Sequence, residues 1–436
     1  MANNTPLYVP PEEQPWTVPG NWVWTRLGFP IAWGSGGTPS RKHPEYYNGS
    51  IPWVKTGELE DDYIQETEEH ISEAGMQNSS AKTFPVQTVI LAMYGATVGK
   101  TAILGIPATT NQACACGVCS TAVNYKYLFY YLRSQKDIFI GKSRGGAQPN
   151  ISQQIIKQHE FPLPPLPEQQ RIVDRIDSLF GKLDEARAKA QAVLDGYELR
   201  RAAILHRAFA GELTKKWRTE HGRDNNSWRT VTFNEVADIK SNLVNPLDYS
   251  NYPHIAPDNI EKRTGVLLDF HTISEDKITS SNHLFHAGQI LYSKIRPYLS
   301  KVVIASFDGL CSADMYPIEA RTGIDTEFLW YYMLSDDFLY QASTAGSRSL
   351  LPKINRKEMS RIHIRITDLD EQKVLTRMLK AAISREQDAK TAVEEVLERI
   401  DLMKKKILGM AFRGELGTND PAETSAAELL EQIRKS

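Results

Sequence analysis

No stretch of this sequence stays apolar for the roughly 20 residues that cross a bilayer. Its opening, MANNTPLYVPPEEQPW, has no basic segment leading into an apolar one. Neither a membrane span nor a secretory signal is expected, and a cytoplasmic location follows by default. Cysteine is scarce, with four residues, three of them in CACGVC (Cys114, Cys116, Cys119). Tetrahedral zinc wants four Cys or His ligands, and the nearest histidines lie far off in sequence, so no metal is expected. The alternation reads instead as a buried strand, and a reducing compartment disfavours disulfides. An excess of positive charge is also missing. The net charge is −2, and each segment of the chain is close to neutral. Phosphate contacts supply most of a nucleic-acid binder's affinity, so this balance counts against tight binding by the chain alone. A partner that adds affinity would remove the objection.

Recognisable reaction centres are missing as well. GATVGKT (95–101) has three residues between its glycines where a phosphate-binding loop needs four. The corresponding KIRPYLSK of the second half has no glycine at all. GSGGTP (34–39) lacks the flanking pattern of a dinucleotide site. An amino-methyltransferase would need an Asn/Asp-Pro-Pro-aromatic loop, but the Pro-Pro pairs fall in VPPE and LPPL. PDNIEKR (257–263) has a nuclease's residue types at the wrong spacing, with no counterpart in the first half's WVKTGELE. The expectation is a non-catalytic binding protein without a cofactor.

What the chain does contain is itself, twice. AILHRAFAGELT and KKILGMAFRGELGT place Phe209 and Phe412, Gly211 and Gly414, and Glu212 and Glu415 each 203 residues apart. Glu168 and Gln169 of PEQQRIV pair with Glu371 and Gln372 of DEQKVL at the same offset, as Pro149 and Ile151 do with Pro352 and Ile354. Upstream the offset drifts to 201 and then to 206, where Trp22 matches Trp228. A period this long is not a solenoid repeat; it means two similar domains, each burying its own core.

Each copy has two parts. Residues 1–165 and 218–368 mix strand-like runs (TVILAMY, QILYSKI) with short aromatic helices (YKYLFYYLRSQ, TEFLWYYMLSD) and predict compact α+β domains. Residues 166–217 and 369–436 are helical. Pro167 suits a first helical turn, and apolar residues follow at Ile172, Ile176, Leu179, Leu183, Ala186, Ala190, Val193 and Tyr197. In the second copy Asp368 is a plausible N-cap with Glu371 at the capping-box position. Its seam runs through Leu375, Met378, Ala382, Ala389, Val393, Val396, Ile400, Met403, Ile407 and Met410. About 40 residues at 1.5 Å each predicts rods of roughly 60 Å, ending near Gly211 and Gly414. Arg200 and Glu386 interrupt one seam each, where the other copy has Met403 and Leu183. Two imperfect seams that complement each other predict an antiparallel coiled coil with pseudo-twofold symmetry.

Both copies also carry polar, basic loops near glycines and aromatics. The first has Tyr94, Thr97 and Lys100, then Lys142, Arg144, Gln148 and Asn150. In the second these are Lys294, Arg296, Tyr298 and Lys301, then Arg348, Ser349 and Lys353, followed by Arg356 and Lys357. Lys and Arg hold phosphates, while Arg, Gln and Asn can bond guanine or adenine edges in the major groove. One scaffold presenting unlike side chains suits a reader of two different short words. The repeated AFxGEL phrase holds more than a helix stop requires, which marks Phe209, Glu212, Leu213, Phe412, Glu415 and Leu416 as candidate partner contacts.

This ordered set resembles the specificity subunit of type I restriction–modification systems. The carriers are GGTPS…YYNGSIPWVKTGEL, YGATVGKTAI, GGAQPNIS, LPPLPEQQRIV and AFAGEL, with DEQ and AFRGEL in the second half. The resemblance implies two target recognition domains (1–165 and 218–368), separated by a central spacer helix (166–217) and a C-terminal spacer helix and tail (369–436). Each domain would read half of a bipartite double-stranded DNA target. The helices would dock two methyltransferase subunits, which make N6-methyladenine from S-adenosylmethionine, and an ATP-driven restriction motor-nuclease subunit would join them. Two other readings stay open: a free-standing coiled-coil DNA-binding regulator or scaffold, and a specificity subunit for a fused methyltransferase–nuclease.

Overall fold

The computed structural model describes residues 7–143, 150–224, 227–345 and 352–435. The chain divides into two compact units: Met1–Lys189 together with Val396–Ser436, and Ala190–Glu395. The end of the C-terminal helix thus belongs with the first recognition domain.

The two units repeat one plan. In the first, a five-stranded sheet runs in the order Ile31–Gly34, Cys114–Cys119, Val89–Ala92, Thr101–Leu104, Tyr63–Ile64, antiparallel except for the last pair. The second has Ala237–Ile239, Met315–Ala320, Ile290–Ser293 and Val302–Ile304 in the same order, all antiparallel. Each unit closes with a two-stranded ribbon, Val23–Arg26 on Glu160–Leu163 and Arg229–Thr232 on His363–Ile366. The aromatic segments form the helices Tyr125–Ser134 and Thr326–Met333, and residues 127–132 of the first are all buried. CACGVC is a strand with Cys114 and Cys116 buried and Cys119 half-buried; burial pushes the thiols of Cys116 and Cys119 up to about 12, which keeps them protonated. Among the described residues no helix is long and apolar enough to cross a membrane, and no cluster of His, Cys, Asp and Glu is suited to a metal ion.

The spacer segments form the helices Leu166–Asp195, Tyr197–Phe209 and Leu369–Ala411. The first rod is therefore not continuous. It breaks at Gly196, where the Arg200 guanidinium takes the Val193 carbonyl (3.1 Å) and the Glu386 carboxylate (2.8 Å). Within each unit the helices pair antiparallel. In the first unit Asp184 bonds Lys404 and Arg187 bonds Asp401; in the second Tyr197 donates to Gln387 and Arg200 pairs with Glu386. The two seam-breaking residues thus neutralise each other.

The seams hold at Ile172, Ile176, Tyr197, Leu375 and Ile400, all buried, but slip at alternate positions. Val193, Met378, Val396 and Met403 are exposed, while Leu379, Glu386, Lys390, Leu397 and Lys404 face inward to varying degrees. The reason is that long cations bury their stems and satisfy their heads. The Lys404 ammonium lies 5.1 Å from the Phe180 ring and that of Lys390 lies 5.2 Å from Tyr197. Between those fixed positions the inward face therefore moves one residue on, onto these cations and leucines.

Candidate nucleic-acid interface

In the first unit the strand Val89–Ala92 runs into a loop that returns through Thr101–Leu104. Gly95 (φ +69°) and Gly99 (φ +83°) bracket a single 3-10 turn at Gly95–Thr97. A second segment docks beside it: Tyr94 bridges Asn150, and Ile151 N–H donates to Met93 O (2.9 Å). Ser152 then caps the short helix Gln153–Gln158. Tyr94, Thr97 and Asn150, separated by some fifty residues in sequence, are brought together here.

The second unit builds the same loop without glycine. Arg296 and Ser300 occupy the two left-handed positions (both φ +47°), around a turn at Pro297–Leu299. Ile295 bridges Lys353, Ile354 N–H donates to Lys294 O (2.9 Å), and Arg296 N–H to Pro352 O (2.8 Å). Lys294, Arg296, Tyr298 and Lys353 therefore share one edge. Tyr298 is half exposed, as is Tyr94 in the first unit.

The remaining candidates separate by their partners. Lys100 lies 3.8 Å from Glu60. Lys142 donates to His159 Nδ1 (3.2 Å); burial, then the Lys142 charge, lowers that imidazole to about 3, so it stays neutral and accepts. Lys301 is tied to Pro257 O (2.7 Å) and Asp258. Lys294 donates to Ala313 O, and Lys353 pairs with Asp314 at 3.2 Å. Arg144, Gln148, Arg348 and Ser349 lie outside the described residues. One element escaped the sequence reading: the Tyr316 ring, with the Lys294 ammonium at 5.5 Å and the Arg356 guanidinium at 5.6 Å. Its counterpart in the first half is Ala115, and that inequality is the signal that could have found it.

The AFxGEL phrase needs correction as a partner contact. Phe412 is 1% exposed and packs edge-on against Tyr127 and Tyr131. Phe209 is 5% exposed and does the same with Phe328 and Tyr332. Phe412 thus seals the end of the C-terminal helix onto the first recognition domain, and Phe209 seals the end of the central helix onto the second. Leu213 and Leu416 are partly buried against the same cores, which leaves only Glu212 and Glu415 exposed. The glycines form matching Schellman ends: Gly211 (φ +81°) and Gly414 (φ +73°), with Glu212 N–H to Arg207 O and Glu415 N–H to Met410 O.

The other repeated phrase completes this joint. Glu371 Oε1 accepts from Thr214 Oγ1 (2.5 Å), just past the end of the first rod; Glu168 Oε1 accepts from Thr418 Oγ1 (2.7 Å), past the end of the second. Asp368 does cap its helix, accepting from Glu371 N–H, but the Glu371 side chain turns into this joint instead of closing a capping box. Gln169 and Gln372 clamp the aromatic helices by accepting from the N-cap N–H groups of Asn124 and Asp325 (2.8 Å each). The repeated words are thus hinge pins that fix each recognition domain to a helix pair.

A family model for the type I restriction modification DNA specificity domain matches the chain twice, over residues 19–193 and 225–399. The chain belongs to this family. The specificity subunit of the Escherichia coli type I restriction enzyme EcoDI is 38% identical over 315 residues, covering 67% of this chain and 70% of that protein. The MjaVIII specificity subunit of Methanocaldococcus jannaschii is 23% identical over 421 residues, 92% of this chain and 94% of that one. Among solved structures, a chain from a study of complex assembly and conformational transition of the type I R-M system aligns with a TM-score of 0.71 at 20% identity, covering 92% of this chain and all of that one. The HsdS subunit from Thermoanaerobacter tengcongensis aligns at 0.58, also at 20% identity, over 93% and 100%. For this type I specificity subunit, the family's two matches fall one on each copy of the repeat.

Proposed function

We propose that this specificity subunit reads a bipartite DNA target, one half-site per recognition domain, and docks two methyltransferase subunits and the restriction motor-nuclease subunits while performing no chemistry itself. The observation that carries this reading is a two-segment loop platform built once in each unit with unlike side chains. A scaffold under one constraint keeps its backbone, and a changed word changes only the side chains on it.

The docking part of the reading moves from the buried phenylalanines to the rods. Leu199 is 76% exposed and Leu402 is 65% exposed, and they stand 203 residues apart in the repeat. An exposed leucine kept at one register in both copies suits two equal contacts with two copies of one partner. The test uses the complex purified from cells that carry the full chain. Leu199→Glu and Leu402→Glu should each release one methyltransferase copy in native mass spectrometry, and the double variant both. The purified chain, given S-adenosylmethionine, ATP and DNA, should turn over none of them. Turnover, or full methyltransferase stoichiometry in the double variant, overturns the reading.

A further inference from the structure

The two platforms differ in chemistry as well as in sequence. The docked segments match at an offset of 203, and the matched positions hold Asn150 against Lys353, Gln153 against Arg356 and Gln154 against Lys357. At the loop tip Gly95 stands against Arg296, and behind it Ala115 against Tyr316. Backbone pairing supports these matches. Leu91 faces Ala115 as Tyr292 faces Tyr316, and the Tyr94–Asn150 bridge corresponds to Ile295–Lys353. One unit therefore presents neutral amides where the other presents cations.

Their surroundings reinforce the contrast. Among the described residues the side chains of Asn150, Gln153 and Gln154 make no hydrogen bond, and Asn150 and Gln154 are exposed. In the second unit the Arg296 guanidinium is exposed and also has no described partner. The Arg356 guanidinium is held over the Tyr316 ring, a shelf that Ala115 cannot provide. A planar guanidinium steadied on an aromatic face keeps its fork in one orientation. Amides pair in two-point fashion with adenine N6/N7, and guanidinium groups with guanine O6/N7.

We propose that the two units read half-sites of unlike base character: the first contacts adenine through Asn150 and Gln153, and the second contacts guanine through Arg296 and Arg356. This rests on the reading of the chain as a specificity subunit.

The test is genome-wide methylation mapping in cells carrying the full chain with its methyltransferase. Arg296→Gln and Arg356→Gln should each relax a G·C position in one half-site, with discrimination there falling roughly ten- to hundredfold. Asn150→Ala and Gln153→Ala should relax A·T positions in the other half-site to a similar extent. Arg356→Lys keeps a charge near Tyr316 but loses the fork, so it should relax the same G·C position; it stands in for the glutamine variant if that chain fails to accumulate. Relaxation at an A·T position by the arginine variants, at a G·C position by the amide variants, or at none overturns the proposal. A methylated word that is not bipartite would instead overturn the specificity reading beneath it.

Discussion

Glu168 in the first unit and Glu371 in the second occupy one position of the repeat, both without solvent exposure, yet they titrate in opposite directions. Burial raises the Glu168 carboxyl above its usual range, and hydrogen bonds from Thr418 and Arg171 only partly offset this. Arg171 is itself divided, because it also grips both oxygens of Glu423 (2.8 and 2.9 Å). Burial acts on Glu371 too, but Thr214, Thr367, Arg218 and Trp228 all donate to it and lower it overall. The same joint is thus held by a shared cation and one hydroxyl in the first unit, and by a dedicated cation and four neutral donors, Ser227 among them, in the second. A duplicated carboxylate keeps its place while its partners diverge, and the partners decide its charge.

Removing the carboxylate is the strongest way to break this comparison. Glu371→Ala leaves the Arg218 guanidinium, 5% exposed, without its anion. Breaking a buried pair costs about 3–5 kcal/mol, so the second unit should lose about that much. Glu168→Ala leaves Arg171 paired with Glu423 and should cost the first unit only about 1–3 kcal/mol. Amide hydrogen exchange resolved by unit measures both; equal losses would show that the partners do not matter.

The loop tips give a second contrast with a smaller effect. Glycine takes the left-handed conformation freely, whereas a residue with a Cβ pays about 1–2 kcal/mol. Arg296→Gly should therefore stabilise the second unit by about 1 kcal/mol while relaxing the G·C position assigned to Arg296; Gly95→Ala should destabilise the first by a similar amount. Thermal melting together with methylation mapping reads both. An arginine variant that gains no stability would show that this backbone is not strained.

The smallest effect expected is a difference in response to pH. The folded-state pKa of Glu371 lies below the usual 4.5, so its contribution is present above that value and is lost as pH falls through the lowered one. The folded-state pKa of Glu168 lies above 4.5, so its contribution is greatest below 4.5 and declines as pH rises towards the raised value. Unit-resolved exchange between about pH 3.5 and 6, corrected for intrinsic rates, should show the second unit weakened by acid and the first relieved. Glu371→Gln and Glu168→Gln should each flatten the corresponding response.

Much of the architecture was legible in the residues because it rests on local or repeated patterns. Alternation and aromatic spacing placed Val89–Ala92, Ile290–Ser293, Tyr125–Ser134 and Thr326–Met333, and phrases recurring about 203 residues apart revealed two copies. Arg200 and Glu386, each out of place in its own seam, pointed to each other. The direction of a side chain was less legible. Phe209 and Phe412 are conspicuous as motif residues but are core residues, because each aromatic helix supplies a socket that only the folded unit assembles.

By itself the sequence determined that two like domains exist, where their helices run, and that no familiar reaction loop is written in them. These follow from periodicity, spacing and residue type, which act over a few residues or repeat at one interval. Only the tertiary structure decided that the end of the C-terminal helix completes the first unit. Trp16 donates to Phe412 O and Arg171 grips Glu423 across 396 and 252 residues of chain. It also decided that Glu371 turns inward, that Arg296 keeps a glycine's conformation, and that Tyr316 lies beneath Arg356. Each of these depends on a partner distant in the chain, and the balance of burial and hydrogen bonding exists only once the two segments meet.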